Sequence, residues 1–506
     1  MTGDGKYDAV VVGCGPNGLS AAITMARAGC KVLALEEQPT VGGGARSSEL
    51  TLPGFSHDVC SSIYPFALAS PFFRQLSLNR YGLEWIHPPI PMAHPLDGRQ
   101  AALLHHSLAA TADALPEDTR AYLRVMKPLV AKWELLTGEF LQPPLHLPAN
   151  PVLFARFGFY AMRSGAGLVS RFKSPATQAL FAGLAAHSFL PLEQLPSAAV
   201  GLVLGLMAHA VGWPMPRGGA QRLANALAEH LRSLGGEIVT DHCVNSLDEL
   251  PSGRAILLDV TPRQFLRLAG QRLSPRYARA LQRFRFGPAA FKIDYALAAP
   301  IPWLAQECIR AGTVHLGGTF AEIAQSEREV AAGRLPERPF VLLAQHSLFD
   351  PTRSPAGLHT AWAYCHVPNG SKFDMTERVE TQIERFAPGF RDRILARHVM
   401  TPQMLQARNS NLVGGDINGG LADLRQLVAR PILSFVPYRT PLKGVYLCSA
   451  STPPGGGVHG MAGYHAACAA LRREFHTRSV ECANEEGAML RSDRRGSDPT
   501  EQEQDH

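Results

Sequence analysis

The sequence predicts an α/β protein, with a parallel sheet wound by helices and a second, discontinuous domain of mixed β-sheet plus helices. Three observations predict it. Residues 7–35 read as strand, glycine turn, helix and strand, which is the βαβ unit of a parallel sheet. Short apolar runs return at 237–240, 255–260 and 445–448, so that sheet gathers strands from distant parts of the chain. Between them, β-rich runs at 289–297, 313–317, 340–346 and 359–367 are separated by turn residues and make a second, mixed sheet. The expected division is a first domain of 1–95, 217–265 and 430–475, a second of 96–216 and 266–429, and a disordered tail over 476–506.

Each element has a local reason. Residues 9–12 are a continuous β-rich apolar run, which suits a strand buried on both faces. Residues 17–28 carry apolar side chains at helical spacing, and Gly29 sits where a helix C-terminal glycine belongs. From about 100 to 170 the pattern is helical, broken by prolines at 116, 128, 143, 144 and 148. Residues 174–216 hold one charged side chain, Glu193, and 198–213 is an uncharged run of 16. That run is shorter than a spanning helix needs and contains three glycines and His209. It reads as a buried helix, or as the wall of an apolar substrate tunnel with Gly205 on it. Residues 223–234 are an amphipathic helix, 376–386 is a helix, and 461–473 is a last helix after a glycine-rich turn.

Composition excludes several classes. The chain has 506 residues, 46% of them apolar and 18% charged, which is enough to build a sizeable core. A net charge of +6 spread over this length does not point to nucleic acid. Nine cysteines with no CxxC pair argue against a disulfide framework or a zinc knuckle, and no metal ligand set is predicted. The opening residues run directly into an apolar strand, so the expectation is a cytoplasmic protein. Residues 271–287 carry five arginines and no acid, interleaved with Leu273, Tyr277, Leu281, Phe284 and Phe286. That stretch is either a solvated face on a core helix or a peripheral membrane contact.

The chemistry is in the turns. Gly13, Gly15 and Gly18, with Pro16 and Asn17 between them, form GxGxxG after a strand and at the start of a helix. The glycines allow the tight turn, the approach of a pyrophosphate and close helix–strand packing. The helix N-terminus then offers free N–H groups to phosphates. Glu36 ends the second strand 18 residues after Gly18, where a carboxylate can accept both hydroxyl hydrogens of an adenosine ribose and repel a 2′-phosphate. Glu37 is adjacent and is expected to point away. Gly42, Gly43, Gly44, Ala45 and Arg46 follow, a loop of exposed N–H groups with an arginine for a phosphate.

Here the sequence resembles a known family. GxGxxG, the acid and the glycine loop are similar to the FAD domain shared by phytoene desaturases, amine oxidases and GDP dissociation inhibitors. Gly54, Phe55, Ser56, His57 and Asp58 resemble the segment that follows in phytoene desaturases. Val445 to Gly460 resembles their C-terminal flavin segment, although Ser449 and Ser451 replace glycines, Pro453 replaces a histidine and His459 stands where a proline is common. Val41 to Arg46 with Leu50 to Phe55 looks most like the branch named after pyridine nucleotide-disulphide oxidoreductase domain-containing protein 2. No second GxGxxG for a nicotinamide is found.

The resemblance implies a Rossmann-type FAD-binding domain in an amine oxidase/phytoene desaturase-like architecture, with noncovalent FAD. It implies cofactor contacts at Gly13, Gly15, Pro16, Asn17, Gly18, Glu36, Glu37, Gly43, Gly44, Ala45, Arg46, Val244, Ala450, Ser451, Gly456, Gly457 and Val458. His459 either moves a proton or steers substrate beside the flavin, or is merely bonded to backbone. The implied activity is an FAD-dependent dehydrogenase or desaturase acting on a lipophilic small molecule, with oxygen, a quinone or another acceptor reoxidising the flavin. A flavin amine oxidase, a flavin-assisted isomerase or saturase, and a GDP dissociation inhibitor-like binding protein are the alternatives.

Overall fold

The computed structural model describes residues 6–477. The expected tail therefore lies, from 478 on, outside the described residues. The first sheet has five strands, all parallel, in the spatial order Val445–Leu447, Ala255–Leu258, Ala9–Val12, Val32–Leu35, Glu237–Val239. Every residue of Ala9–Val12 is buried, because helices cover the face of Ala9 and Val11 while the segment around Val244 and Leu250 and the helix Pro262–Ala269 cover the other. The helix Pro16–Arg27 leads from the first strand to the second, and Gln221–Ser233 and Met461–Glu474 pack against it. The approach is close: a Cβ on Gly463 would lie 1.8 Å from the carbonyl oxygen of Asn17.

The second sheet has seven strands, in the order Ile394–Met400, Ala289–Leu297, His359–Val367, Val341–Ala344, Ala311–Leu316, Ile90–Pro95, Ala101–Leu104. It is mixed, since Ala311–Leu316 runs parallel to Ile90–Pro95 and the other pairs are antiparallel. Four of these strands stand where the β-rich runs predict them. Ile90–Pro95 pairs in this sheet, so the expected boundary after residue 95 falls at the end of a strand of the second sheet. Its two prolines hide it from pattern reading, because proline removes a ladder donor.

A block of helices between Leu108 and Ala210 packs beside the second sheet. The uncharged run forms Ser197–Ala210, and Leu202, Leu206, Met207 and Ala208 are fully buried in one apolar cluster. A Cβ on Gly201 would lie 3.1 Å from the backbone of Ala185, which is why small residues recur where two helices touch. Among the described residues no helix is long and apolar enough to cross a membrane. The basic stretch contains the helix Pro275–Gln282, with Leu281 and Phe284 turned into the core. Arg272 pairs with Asp248 and Arg285 with Asp423.

Candidate functional site

The glycine turn is built as its spacing requires. Gly13 has φ +94 and donates its N–H to Leu35 across the sheet at 2.7 Å. A Cβ on Gly18 would lie 1.9 Å from the Gly13 carbonyl oxygen, so only glycine lets the helix start this close to the strand. Gly15 caps the helix and offers no side chain to its N–H groups. The loop at 42–46 folds over this turn, and a Cβ on Gly43 would sit 3.1 Å from Gly15 Cα.

A cavity of about 750 Å³ starts here. Its near end is lined by Gly13, Gly15, Pro16, Asn17, Glu36, Glu37, Gly43, Gly44, Ala45, Arg46 and Val244, and it continues past Ala450, Ser451, Gly457 and Val458. Gly18 and Gly456 do not line it. Gly18 packs helix to strand, and Gly456 packs on Asn418, whose carbonyl a Cβ would meet at 2.9 Å.

Glu36 is buried, and its carboxylate accepts the N–H groups of Cys14 at 2.8 Å and Gln38 at 3.1 Å. Burial raises its pKa against those two bonds. Glu37 is exposed but also lines the cavity, contrary to expectation. The segment 408–412 crosses the mouth, and Ser410 donates its hydroxyl to Glu37 at 3.1 Å. Arg46 donates to the carbonyls of Gly43 and Arg408, at 2.9 and 2.6 Å, and so ties the glycine loop to that crossing segment. The two serines that replace glycines are satisfied locally. Ser449 donates to the Val260 carbonyl and Ser451 to that of Gly419, each at 2.8 Å.

Of the two readings of His459, the structure has the one bonded to backbone. It is buried and does not line the cavity. Nδ1 accepts the N–H of Met461 at 3.0 Å, and the ring meets Phe66 edge-on. Burial pushes its pKa down to about 4, so the imidazole is neutral. It braces the turn rather than facing a substrate.

Sequence reading missed Asp259, at the end of Ala255–Leu258. Its carboxylate accepts the Gly18 N–H at 3.0 Å and lines the cavity, and a Cβ on Gly15 would meet it at 2.9 Å. Burial, with Glu36 nearby, pushes its pKa up to about 7. The signal was an acid at the carboxyl end of a parallel strand, where open α/β sheets bind ligands.

The far end of the cavity lies against the second sheet, with Phe66, His187, Leu204, Trp213, Thr313 and Trp362 among its walls. Behind Trp362 lies a buried charge network. Lys292 pairs with Asp294 and sits over the Trp362 ring, 5.8 Å from its centre. His57 is 3.7 Å from Asp294, and Asp58 pairs with Arg353 at 2.8 Å. Burial pushes Asp294 up to about 6 and Lys292 down, while Arg353 and His346 hold Asp58 well below the usual carboxylate range. At the same end of the cavity His187 and His315 join Nε2 to Nε2 at 3.1 Å. Burial holds both of these imidazoles neutral.

Comparison with known proteins agrees with this geometry. The family model for an NAD(P)-binding Rossmann-like domain matches residues 11–76. Pyridine nucleotide-disulfide oxidoreductase domain-containing protein 2 of Mus musculus is 28% identical, with 92% of this chain and 94% of that protein covered. A limonene dehydrogenase subunit of Castellaniella defragrans is 22% identical over 91% of this chain and 94% of its own length. Among solved structures, an oxidoreductase from Methanosarcina mazei superposes with a TM-score of 0.61 at 16% identity, covering 92% of this chain and 100% of that one. Putrescine oxidase gives 0.58 at 16%, over 92% and 99%, and cyclohexylamine oxidase from Brevibacterium oxydans gives 0.57 at 15%, over 93% and 100%. The resemblance read from the motifs thus extends over nearly the whole chain, and the protein has the amine oxidase-like fold with a Rossmann-type dinucleotide-binding domain.

Proposed function

We propose that the protein is an FAD-dependent dehydrogenase of the desaturase type, acting on a lipophilic, uncharged small molecule. The observation that carries this reading is the distribution of charge along one continuous cavity. Its lining carboxylates, Glu36, Glu37 and Asp259, all belong to the dinucleotide end. The far end offers Phe66, Leu204 and Trp362, with a neutral His187, and no acid to pair with a protonated amine. The amine oxidase alternative would need such a partner or a neutral amine.

The residues present suit FAD. A Cβ would fill the cradle at Gly15 and Gly43, and the buried Asn17 Oδ1 at the helix start has no partner among the described residues. Thr313 Oγ1 and Trp362 Nε1 line the far end and are likewise unpartnered. Glu36 would hold the ribose, and the first turn of Pro16–Arg27 the diphosphate. The flavin, when bound, supplies the hydride acceptor. The chain's own contribution is to bind it noncovalently, orient the substrate against the second sheet and exclude water. Oxygen, a quinone or another acceptor would complete the cycle.

Purified protein should be yellow and release FAD on acid or heat treatment. Under anaerobic conditions its flavin should be bleached faster by polyene or acyl-chain compounds than by simple amines. Each buried CH₂ contributes about 0.8 kcal/mol to holding such a chain. Rapid bleaching by a small amine, or a protein that cannot be loaded with FAD, would overturn the proposal. Glu36→Arg should weaken FAD retention roughly tenfold or more, since a charge-assisted bond contributes about 1.5–3 kcal/mol. Glu37→Arg should do much less, because Glu37 is exposed. Equilibrium dialysis distinguishes them, and equal losses would show that the ribose acid is misassigned.

The tunnel expected over 174–216 narrows to His187, Phe189, Leu204 and Trp213, which line the cavity. Gly205 is not among them. A Cβ there would meet Met126 at 3.3 Å and Leu184 at 3.7 Å, so a bulky residue at 205 would disturb helix packing.

A further inference from the structure

We propose that the helix Pro151–Ala161 and the loop before it dock on an anionic phospholipid bilayer. The helix is apolar on both its inner and its outer face, unlike an ordinary water-facing element. Phe157, Tyr160 and Ala161 are buried, while Val152, Ala155, Arg156, Phe159 and then Met162 form its outward face at helical spacing. Val152 is 82% exposed and Phe159 56%, and Leu147 in the preceding loop is 96% exposed. Surface helices ordinarily turn polar residues outward.

Cations ring this apolar tip. The guanidinium groups of Arg163 and Arg171 lie over the Phe159 ring, 4.6 and 5.7 Å from its centre. Arg156 and Lys173 stand beside them in sequence and are exposed. None of these four is ion-paired with a carboxylate among the described residues. The acids of the neighbouring helix are already engaged, Glu134 by Arg74 and the buried Glu139 by His146. Exposed aromatic and aliphatic side chains within unpaired cations match the interface of a bilayer with anionic headgroups.

A second apolar projection is anchored at the same place. His465 meets the Leu141 carbonyl at 3.0 Å and stacks on Tyr438. Leu141 leads into the exposed Leu145 and Leu147, and Tyr438 ends the segment that exposes Leu433 and Phe435, the latter by 86%. The basic stretch 271–287, the membrane candidate from sequence, buries Leu281 and Phe284 and has no comparable projection. On its inner side the docking helix stacks Phe157 on Phe140, within the cluster that also holds the cavity-lining Leu204. The surface proposal does not depend on the substrate reading.

The test is sedimentation of the full-length, FAD-loaded protein with vesicles of phosphatidylcholine alone or with phosphatidylglycerol. The protein should pellet with the mixed vesicles and far less with the neutral ones. Val152→Asp with Phe159→Asp should lower the bound fraction about tenfold or more. Leu147→Asp, at a loop position with almost no protein contact, should lower it in the same direction without touching the fold. Arg276→Glu with Arg279→Glu should leave it unchanged. No binding by the parent protein would overturn the proposal. So would loss of binding only in the arginine pair at 276 and 279, or self-association in light scattering that the Asp substitutions abolish while vesicle binding persists.

Discussion

Lys292→Met should destabilise the protein by about 3–5 kcal/mol, the usual cost of removing one partner from a buried ion pair. The pair is nearly inaccessible, with side-chain exposures of 3% for Lys292 and 0% for Asp294. Without the ammonium group, Asp294 keeps His57 at 3.7 Å and the field of the Arg353 guanidinium, opposed by that of Asp58. Asp294 already has its pKa pushed up to about 6 by burial. A carboxyl group raised in the folded state favours folding while it stays protonated and loses that contribution as pH rises through the raised value. The defect should therefore deepen from mildly acidic to mildly alkaline buffer. Lys292→Met combined with Asp294→Leu should recover most of the loss, since a hydrophobic replacement carries no uncompensated charge. Urea unfolding of the three proteins decides it. A single variant that loses less than about 1 kcal/mol would show that the ammonium group does not compensate Asp294.

Asp259→Asn should flatten the pH dependence of FAD affinity. The Asp259 pKa, pushed up to about 7, lies well above that of a free aspartate. Its contribution to stability is fully present below the ordinary carboxylate pKa, declines above it, and is gone once pH passes about 7. The ionised carboxylate would also face the diphosphate of a dinucleotide held at the helix start. Parent affinity for FAD should thus fall as pH rises through neutrality, by up to about tenfold per pH unit. Asparagine can still accept the Gly18 N–H and never ionises, so the variant should hold FAD equally on both sides of neutral pH. It should also unfold at a higher temperature than the parent in alkaline buffer. Fluorescence titration with FAD measures the first effect, and a parent curve that is flat or rises with pH would falsify the assignment.

What could be read from the sequence was whatever is encoded locally. Gly13, Gly15, Gly18 and Glu36 lie within one βαβ unit, so spacing alone fixes their relation, and the structure places them together around one turn. The strands Ala289–Leu297 and His359–Val367 were visible because long β-rich runs have no competing reading. Asp259 was hidden because its importance comes from strand order. Ala255–Leu258 lies beside Ala9–Val12 only after the sheet forms, and nothing near residue 259 announces that neighbour. His187, Thr313 and Trp362 were hidden for the same reason, since a helix end and two strands converge on one wall. Which of the two readings of His459 holds depends on orientation, which spacing does not encode. The turn was placed correctly, with Gly457 and Val458 on the cavity, but the next side chain rotates into the interior to accept the Met461 N–H.

The closing of the first sheet by Val445–Leu447, and of its helical layer by Met461–Glu474, sets a timetable for biosynthesis. The glycine turn leaves the ribosome early, but the helix that follows it has no complete partner until the Gly463 region has been made. At ordinary elongation rates that interval is on the order of tens of seconds. During it the nascent chain carries an incompletely covered apolar helix and, once residue 258 is made, a free edge on Ala255–Leu258, which is a substrate for holdase chaperones rather than a nucleotide-binding unit. Cofactor loading is thereby deferred to the released, full-length polypeptide, and fragments ending before the last helix should accumulate as degradation targets instead of partial flavoproteins.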